Sequence, residues 1–135
     1  MDTRQRKPAE ESAMEFGPYS VSAFVSEHLG LDGGAMFGSV PKVLWGRRIV
    51  PDDQNRIPLA CRLLVLEGEG RKILVDLGCG NKWSDKERSI YDISHQSAQP
   101  LASALPGITD IIVTHLHFDH VGGISYRDAD GALQL

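Results

Sequence analysis

The chain has 135 residues and a net charge of −4 at pH 7. That length suits one ordinary domain, and the acidic balance argues against a general nucleic-acid binder, which must neutralise phosphates. No apolar run is long enough to span a membrane, so a cytoplasmic protein acting on a small molecule is expected.

Residues 1–18 are polar and mixed in charge without an apolar stretch, which predicts a mobile tail and not a signal peptide. From Tyr19 to His28 the chain alternates around Val21, Ala23 and Val25, giving a first strand. Asp32-Gly33-Gly34-Ala35-Met36-Phe37-Gly38 is glycine-rich but lacks the lysine signature of a phosphate loop. Met36 and Phe37 either line an apolar pocket or pack in the core, and Trp45 and Trp83 leave the same choice open. Lys42, Arg47 and Arg48 read as a solvated basic face.

Leu59–Glu67 and Lys72–Asp76 are strands joined by a short hairpin at Gly68-Glu69-Gly70. Cys61 falls in the first of them and Cys79 in the turn Gly78-Cys79-Gly80. Without C-x-x-C spacing, both read as free thiols in a reducing compartment. Asp85–Tyr91 is a short helical or irregular piece. Gln96–Leu105 is a helix candidate capped by Ser94, unless Pro100 starts it. Gly107 then breaks the chain before Ile108–Thr114, an apolar, β-branched run that predicts a buried strand. Further on, Tyr126 to Gly131 reads as a strand and an Asp-Gly turn, and Ala132–Leu135 as the start of a return strand.

The chemistry is concentrated in Thr114-His115-Leu116-His117-Phe118-Asp119-His120. From this composition, H-x-H-x-D-H arises by chance in roughly one such chain in two thousand, which makes a His-rich surface turn the weaker reading. Imidazole nitrogen and carboxylate oxygen are donors for a borderline-soft divalent ion. The run leaves the carboxyl end of a strand, where α/β folds place their sites. His115 and His117, two apart, point the same way on extended backbone. Asp119 and His120 follow a turn and can face a second ion, and two ions together suit hydrolysis. His28 and His95 read instead as surface or helix-start residues.

This loop resembles the hallmark of the metallo-β-lactamase superfamily. The similarity extends over residues 20–135 through Leu31–Gly38, Val40-Pro41-Lys42, Asn55-Arg56-Ile57-Pro58 and Ile73–Gly78, segments like those of lactonase-like members. The resemblance implies a mixed α/β (α+β) chain, the N-terminal half of an αββα sandwich, occupying residues 19–135. It also implies two zinc ions, with iron or manganese as alternatives: His115 and His117 on the first, Asp119 and His120 on the second. Asp119 would also act catalytically, steering the nucleophile or passing a proton to the leaving group. Asp76, which ends a strand, either caps nearby amides or orients the ligand loop from behind, and the family's Asp-x-Gly element favours the second role.

In the family, one more histidine for each metal and a bridging aspartate come from the later half of the domain. The chain therefore reads as an incomplete domain, ending in mid-hairpin. Its expected function is metal-dependent hydrolysis of an ester, lactone or amide-type bond once completed by a C-terminal half or a second copy. The competing expectation is an inactive fragment that binds metal or a partner.

Overall fold

The computed structural model describes residues 13–95 and 100–135. Two long antiparallel strands, β2 (Tyr19–Asp32) and β3 (Arg56–Gly68), form its centre. Along β3 the period of two is plain: Ile57, Cys61, Leu63 and Val65 are buried, whereas Pro58, Arg62 and Leu64 are exposed. β4 (Arg71–Val75) turns back on β3 through Glu69 and Gly70, whose φ values of 49° and 72° make a two-residue turn matched to strand twist. β1 (Met14–Phe16) pairs with the start of β2. Three residues expected in a mobile tail thus belong to the sheet, because they satisfy the free edge of β2; residues 1–12 lie outside the described region.

β2 runs four residues past its expected end and carries a bulge. Val25 pairs with Arg62 and Glu27 with Cys61, which leaves Ser26 as an extra residue. Beyond β2 the glycine-rich segment folds as a short helix, α1 (Gly33–Phe37), where sequence alone showed none. Asp32 caps it by accepting from the Ala35 amide at 2.8 Å. Phe37 stacks on buried Trp45 of α2 (Lys42–Trp45) at 5.0 Å, while Met36 stays exposed. Phe37 and Trp45 are therefore packing residues.

After β4, α3 (Asp85–Tyr91) is fixed by a capping box between Ser84 and Glu87. Ser94, the expected cap of a helix from Gln96, does not cap one. Ser94–His95 is a strand, β5, paired with Glu27–His28 of β2. α4 (Leu101–Ala104) begins after Pro100, which suits a helix start, and residues 96–99 lie outside the described region.

β6 (Asp110–Ile112) pairs with β4, in parallel and at the sheet edge, after strand order β1-β2-β3-β4. Its expected burial is not met: Ile111 and Ile112 are 52% and 51% exposed. Neighbours on a strand face opposite sides, so both faces of this edge are open among the described residues. α5 (Phe118–Val121) and a 3-10 turn at Gly122–Ile124 follow, then a separate hairpin of β7 (Tyr126–Arg127) and β8 (Leu133–Gln134). That hairpin has the expected form.

The core has two parts. Leu63, Val65, Leu74 and Leu77 pack against Leu101 and Leu105 from α4. Leu29, Cys61, Cys79 and Ile93 pack under Trp83, Tyr91 and Phe118. Among the described residues, no helix is long and apolar enough to cross a membrane.

The β4–β6 pair is locked by Arg71, whose guanidinium forks onto the Asp110 carboxylate. Arg71, with help from the Thr109 hydroxyl, lowers the Asp110 carboxyl to about 2. A depressed carboxylate pKa stabilises the fold above the unfolded value of 3.8 and ceases to do so as pH falls through about 2. Denaturation curves across that window should show Asp110→Asn less stable than wild type at neutral pH, with a flatter acid limb. An unchanged acid limb would remove the pair from this role.

Candidate metal centre

Parallel neighbours end at the same level, and this places the site. Val75 and Ile112 are in register, and the Asp76 amide extends the ladder to the Ile112 carbonyl at 2.8 Å. The two loops then run side by side: the Leu77 amide donates to the His120 carbonyl at 2.8 Å and the Gly123 amide to Gly78 at 3.2 Å. They approach so closely that a Cβ on Gly122 would lie 2.1 Å from the Cys79 carbonyl oxygen, and one on Gly123 2.1 Å from that of Leu77. The expected tight turn at this glycine pair is thus also a close backbone contact. Lys82 holds the same turn by donating to the Gly122 and Ser125 carbonyls.

Asp76 sits at the junction, buried and with φ of 61°, a left-handed conformation that aspartate tolerates better than most residues. Its carboxylate accepts from the Thr114 amide at 2.8 Å, the Thr114 hydroxyl at 2.9 Å and His120 Nδ1 at 2.7 Å. Burial opposes ionisation, but the Thr114 amide, the His120 ring and the Thr114 hydroxyl together hold the Asp76 carboxyl below its ordinary range.

Proton counting sets the tautomer of each ring in its neutral form. An ionised carboxylate only accepts, so His120 Nδ1 carries a proton, and in the neutral ring Nε2 holds the lone pair. The Thr114 hydroxyl gives its single proton to Asp76. It therefore accepts from His115 Nδ1 at 3.0 Å, and His115 Nε2 is likewise left as a donor atom for metal. One carboxylate thus orients two imidazoles, one directly and one through a threonine. Thr114 had no role in the sequence reading, although it sits immediately before the motif.

His117 ends the extended stretch, and α5 carries Asp119 and His120 round the corner. The His115 ring is 4.7 Å from that of His117 and 4.0 Å from that of His120. His120 Nε2 lies 3.5 Å from Asp119 Oδ2. A nitrogen and an oxygen on one tetrahedral ion are about 3.4 Å apart, so this pair fits a shared divalent ion. His115 and His117 are exposed, whereas Asp119 and His120 are half-buried. Phe118, between them, anchors the loop by packing on Trp83 at 5.2 Å and Tyr91 at 5.5 Å. A cavity of about 240 Å³ opens beside Asp119 and His120, walled by Leu29, Leu59 and Leu63.

The remaining expected residues lie elsewhere. His28 is exposed on β2, and the backbone of His95 is in β5, so it opens no helix. Cys61 and Cys79 are free and buried, but they are not isolated: their sulfurs are 3.6 Å apart.

Two substitutions test the support of the loop. Asp76→Asn should weaken zinc binding about 10- to 100-fold while leaving a folded chain, read by competition with a chromophoric chelator. Gly123→Ala should cost about 1–3 kcal/mol in chemical denaturation, because the added carbon meets backbone.

Residues 56–126, more than half of the chain, match the model of the Metallo-beta-lactamase superfamily. Among solved structures, a probable metal-dependent hydrolase from Staphylococcus aureus shares 29% identity at a TM-score of 0.74, over 84% of this chain and 43% of that one. AidC, a dizinc quorum-quenching lactonase solved with a product, shares 18% at a TM-score of 0.54, over 85% of this chain and 39% of its own. The hydrolase AbOPH of the beta lactamase superfamily shares 18% at 0.57, over 90% and 41%. No curated protein matches the chain. The chain spans about two fifths of the length of these structures, and its mixed α/β sheet matches one half of their fold. With its His–Asp loop, paired parallel strands and matching sequence taken together, the chain belongs to the metallo-beta-lactamase superfamily.

Proposed function

We propose that the domain containing this chain is a metal-dependent hydrolase that cleaves an ester, lactone or amide-type bond in a small molecule. The observation that carries this reading is the Asp76 junction. Through it, one carboxylate engages the Nδ1 atoms of His120 directly and of His115 by way of Thr114, which leaves both Nε2 atoms to serve as ligands in the neutral rings, while Asp119 stands 3.5 Å from that of His120. His115 and His117 would hold one ion, and Asp119 and His120 another. Zinc is our assignment, with iron or manganese compatible with the same donors. When bound, such ions supply an acidified water and polarise a carbonyl oxygen.

The chain's own groups do the rest. Asp76 keeps the imidazoles in the ligating tautomer. The second carboxylate oxygen of Asp119 can take a proton from the nucleophile or give one to the leaving group. The apolar wall of Leu29, Leu59 and Leu63 would seat the acyl part of the substrate and keep water from it. Further donors and the cover of the half-exposed Leu64, Ile111 and Ile112 would come from a complementing C-terminal half or a second copy. Free, buried thiols suit a cytoplasmic setting.

Elemental analysis after dialysis against metal-free buffer, paired with a panel of lactones and esters, tests the proposal. His115→Ala combined with Asp119→Ala should remove close to two ions per chain and abolish hydrolysis. Wild-type protein that hydrolyses none of the panel, or a double variant that keeps both ions and full turnover, would overturn it. The inert fragment is the reading left if hydrolysis is absent.

A further inference from the structure

Glu27, Cys61 and Cys79 each present a ligand atom within 4.8 Å of the others, and all three are buried. They come from β2, from β3 and from the turn after β4, and none belongs to the His–Asp loop. The bulge at Ser26 makes the meeting possible by setting Glu27 directly across from Cys61. Glu27 Oε2 accepts from the Cys79 amide at 3.1 Å and from the Ser26 hydroxyl.

The sulfur separation discriminates between two uses of the pair. Two sulfurs on one tetrahedral zinc, each at about 2.3 Å, stand about 3.8 Å apart, whereas a disulfide needs about 2.05 Å. The observed 3.6 Å excludes a formed disulfide, which would demand closure by about 1.5 Å, and it lets two thiols in hydrogen-bond contact pass to a metal-bridged pair with almost no movement. We propose that Glu27, Cys61 and Cys79 form a separate structural site for a thiophilic divalent ion of the zinc type.

Two sulfurs and a carboxylate oxygen make a softer donor set than the loop's imidazoles and carboxylate, and the Ser26 hydroxyl stands beside it for a fourth position. On binding, two S–H bonds break, two protons leave to solvent and two S–metal bonds form, with no electron transferred. Without metal, the contact with Cys61 and burial push the Cys79 thiol up, which keeps Cys79 protonated. With metal, one ion would tie β2 and β3 to the turn that carries Asp76. The site is thus a staple beneath the proposed reaction centre, independent of whether that centre hydrolyses anything.

Cobalt(II) distinguishes the two donor sets, because only thiolate ligation gives an intense near-ultraviolet charge-transfer band. Reduced, metal-free chain titrated with cobalt should develop that band with one equivalent. His115→Ala/His117→Ala should keep it. Cys79→Ala and Cys61→Ser should lose it, and Glu27→Gln, which retains a hydrogen-bond acceptor, should move its midpoint to higher cobalt. Thermal melts of the His115→Ala/His117→Ala protein should rise with added zinc, and those of folded Cys79→Ala should not. A reduced wild-type chain that binds cobalt without the band overturns the assignment. So does a native mass two hydrogens short, which would identify a disulfide instead.

Discussion

Asp76 has little room to be anything else. It stands where β4 stops, next to the strand that carries the ligand loop, and it takes three hydrogen bonds from that loop. The parallel pairing of β4 and β6 creates this relation, since only parallel neighbours release their loops on the same side at the same height. Moving either strand by one residue would turn the carboxylate to the other face of the sheet. The left-handed backbone at Asp76 and the carbonyl-to-glycine contacts of Gly122 and Gly123 both serve to keep the two loops in touch.

Precision and exposure are divided between two layers. His115 and His117 face outward, on a loop whose own side chains include the largely exposed Leu116. Beneath them the structure is closed: Trp83, Tyr91 and Phe118 pack as a trio, and the Trp83 indole donates to the Cys79 carbonyl at 3.0 Å. Loops give a ligand room to approach, and a buried scaffold supplies their geometry. The chain carries its imidazoles near the surface and its thiols in the core, so the two donor types do not compete for the same position.

Much of this was legible in residue order. The H-x-H-x-D-H run behind an apolar strand placed four donors at a strand end, where the structure has them. β3, β4 and the turn between them followed from apolar runs and a glycine pair, whereas Asp85–Tyr91 stayed between helix and irregular chain until the Ser84–Glu87 capping box settled α3. What was not legible depends on partners far away in the chain. Ser94–His95 is too short to be a strand on its own and becomes one only because β2 lies alongside. Asp32-Gly33-Gly34 looked like loop because glycine disfavours helix, yet an aspartate cap and the Trp45 ring hold it helical. Ile111 and Ile112 have the composition of buried residues, but composition cannot say which strand is the edge. The meeting of Glu27 with two cysteines required a bulge, which has no sequence signature here.

The route by which the sheet closes has a consequence for how the molecule is acquired. β3 and β4 are joined through two residues, whereas β4 meets β6 only after the 34 residues 76–109. Local pairings close quickly and distant ones slowly, so the hairpin precedes the parallel docking in time. Asp76 finds Thr114 and His120 only in that later event. The imidazoles of a nascent chain are therefore unsorted until β6 docks on β4. A cation that prefers the sorted arrangement draws the docked state forward by mass action, which makes the final folding step and the loading of the loop a single equilibrium.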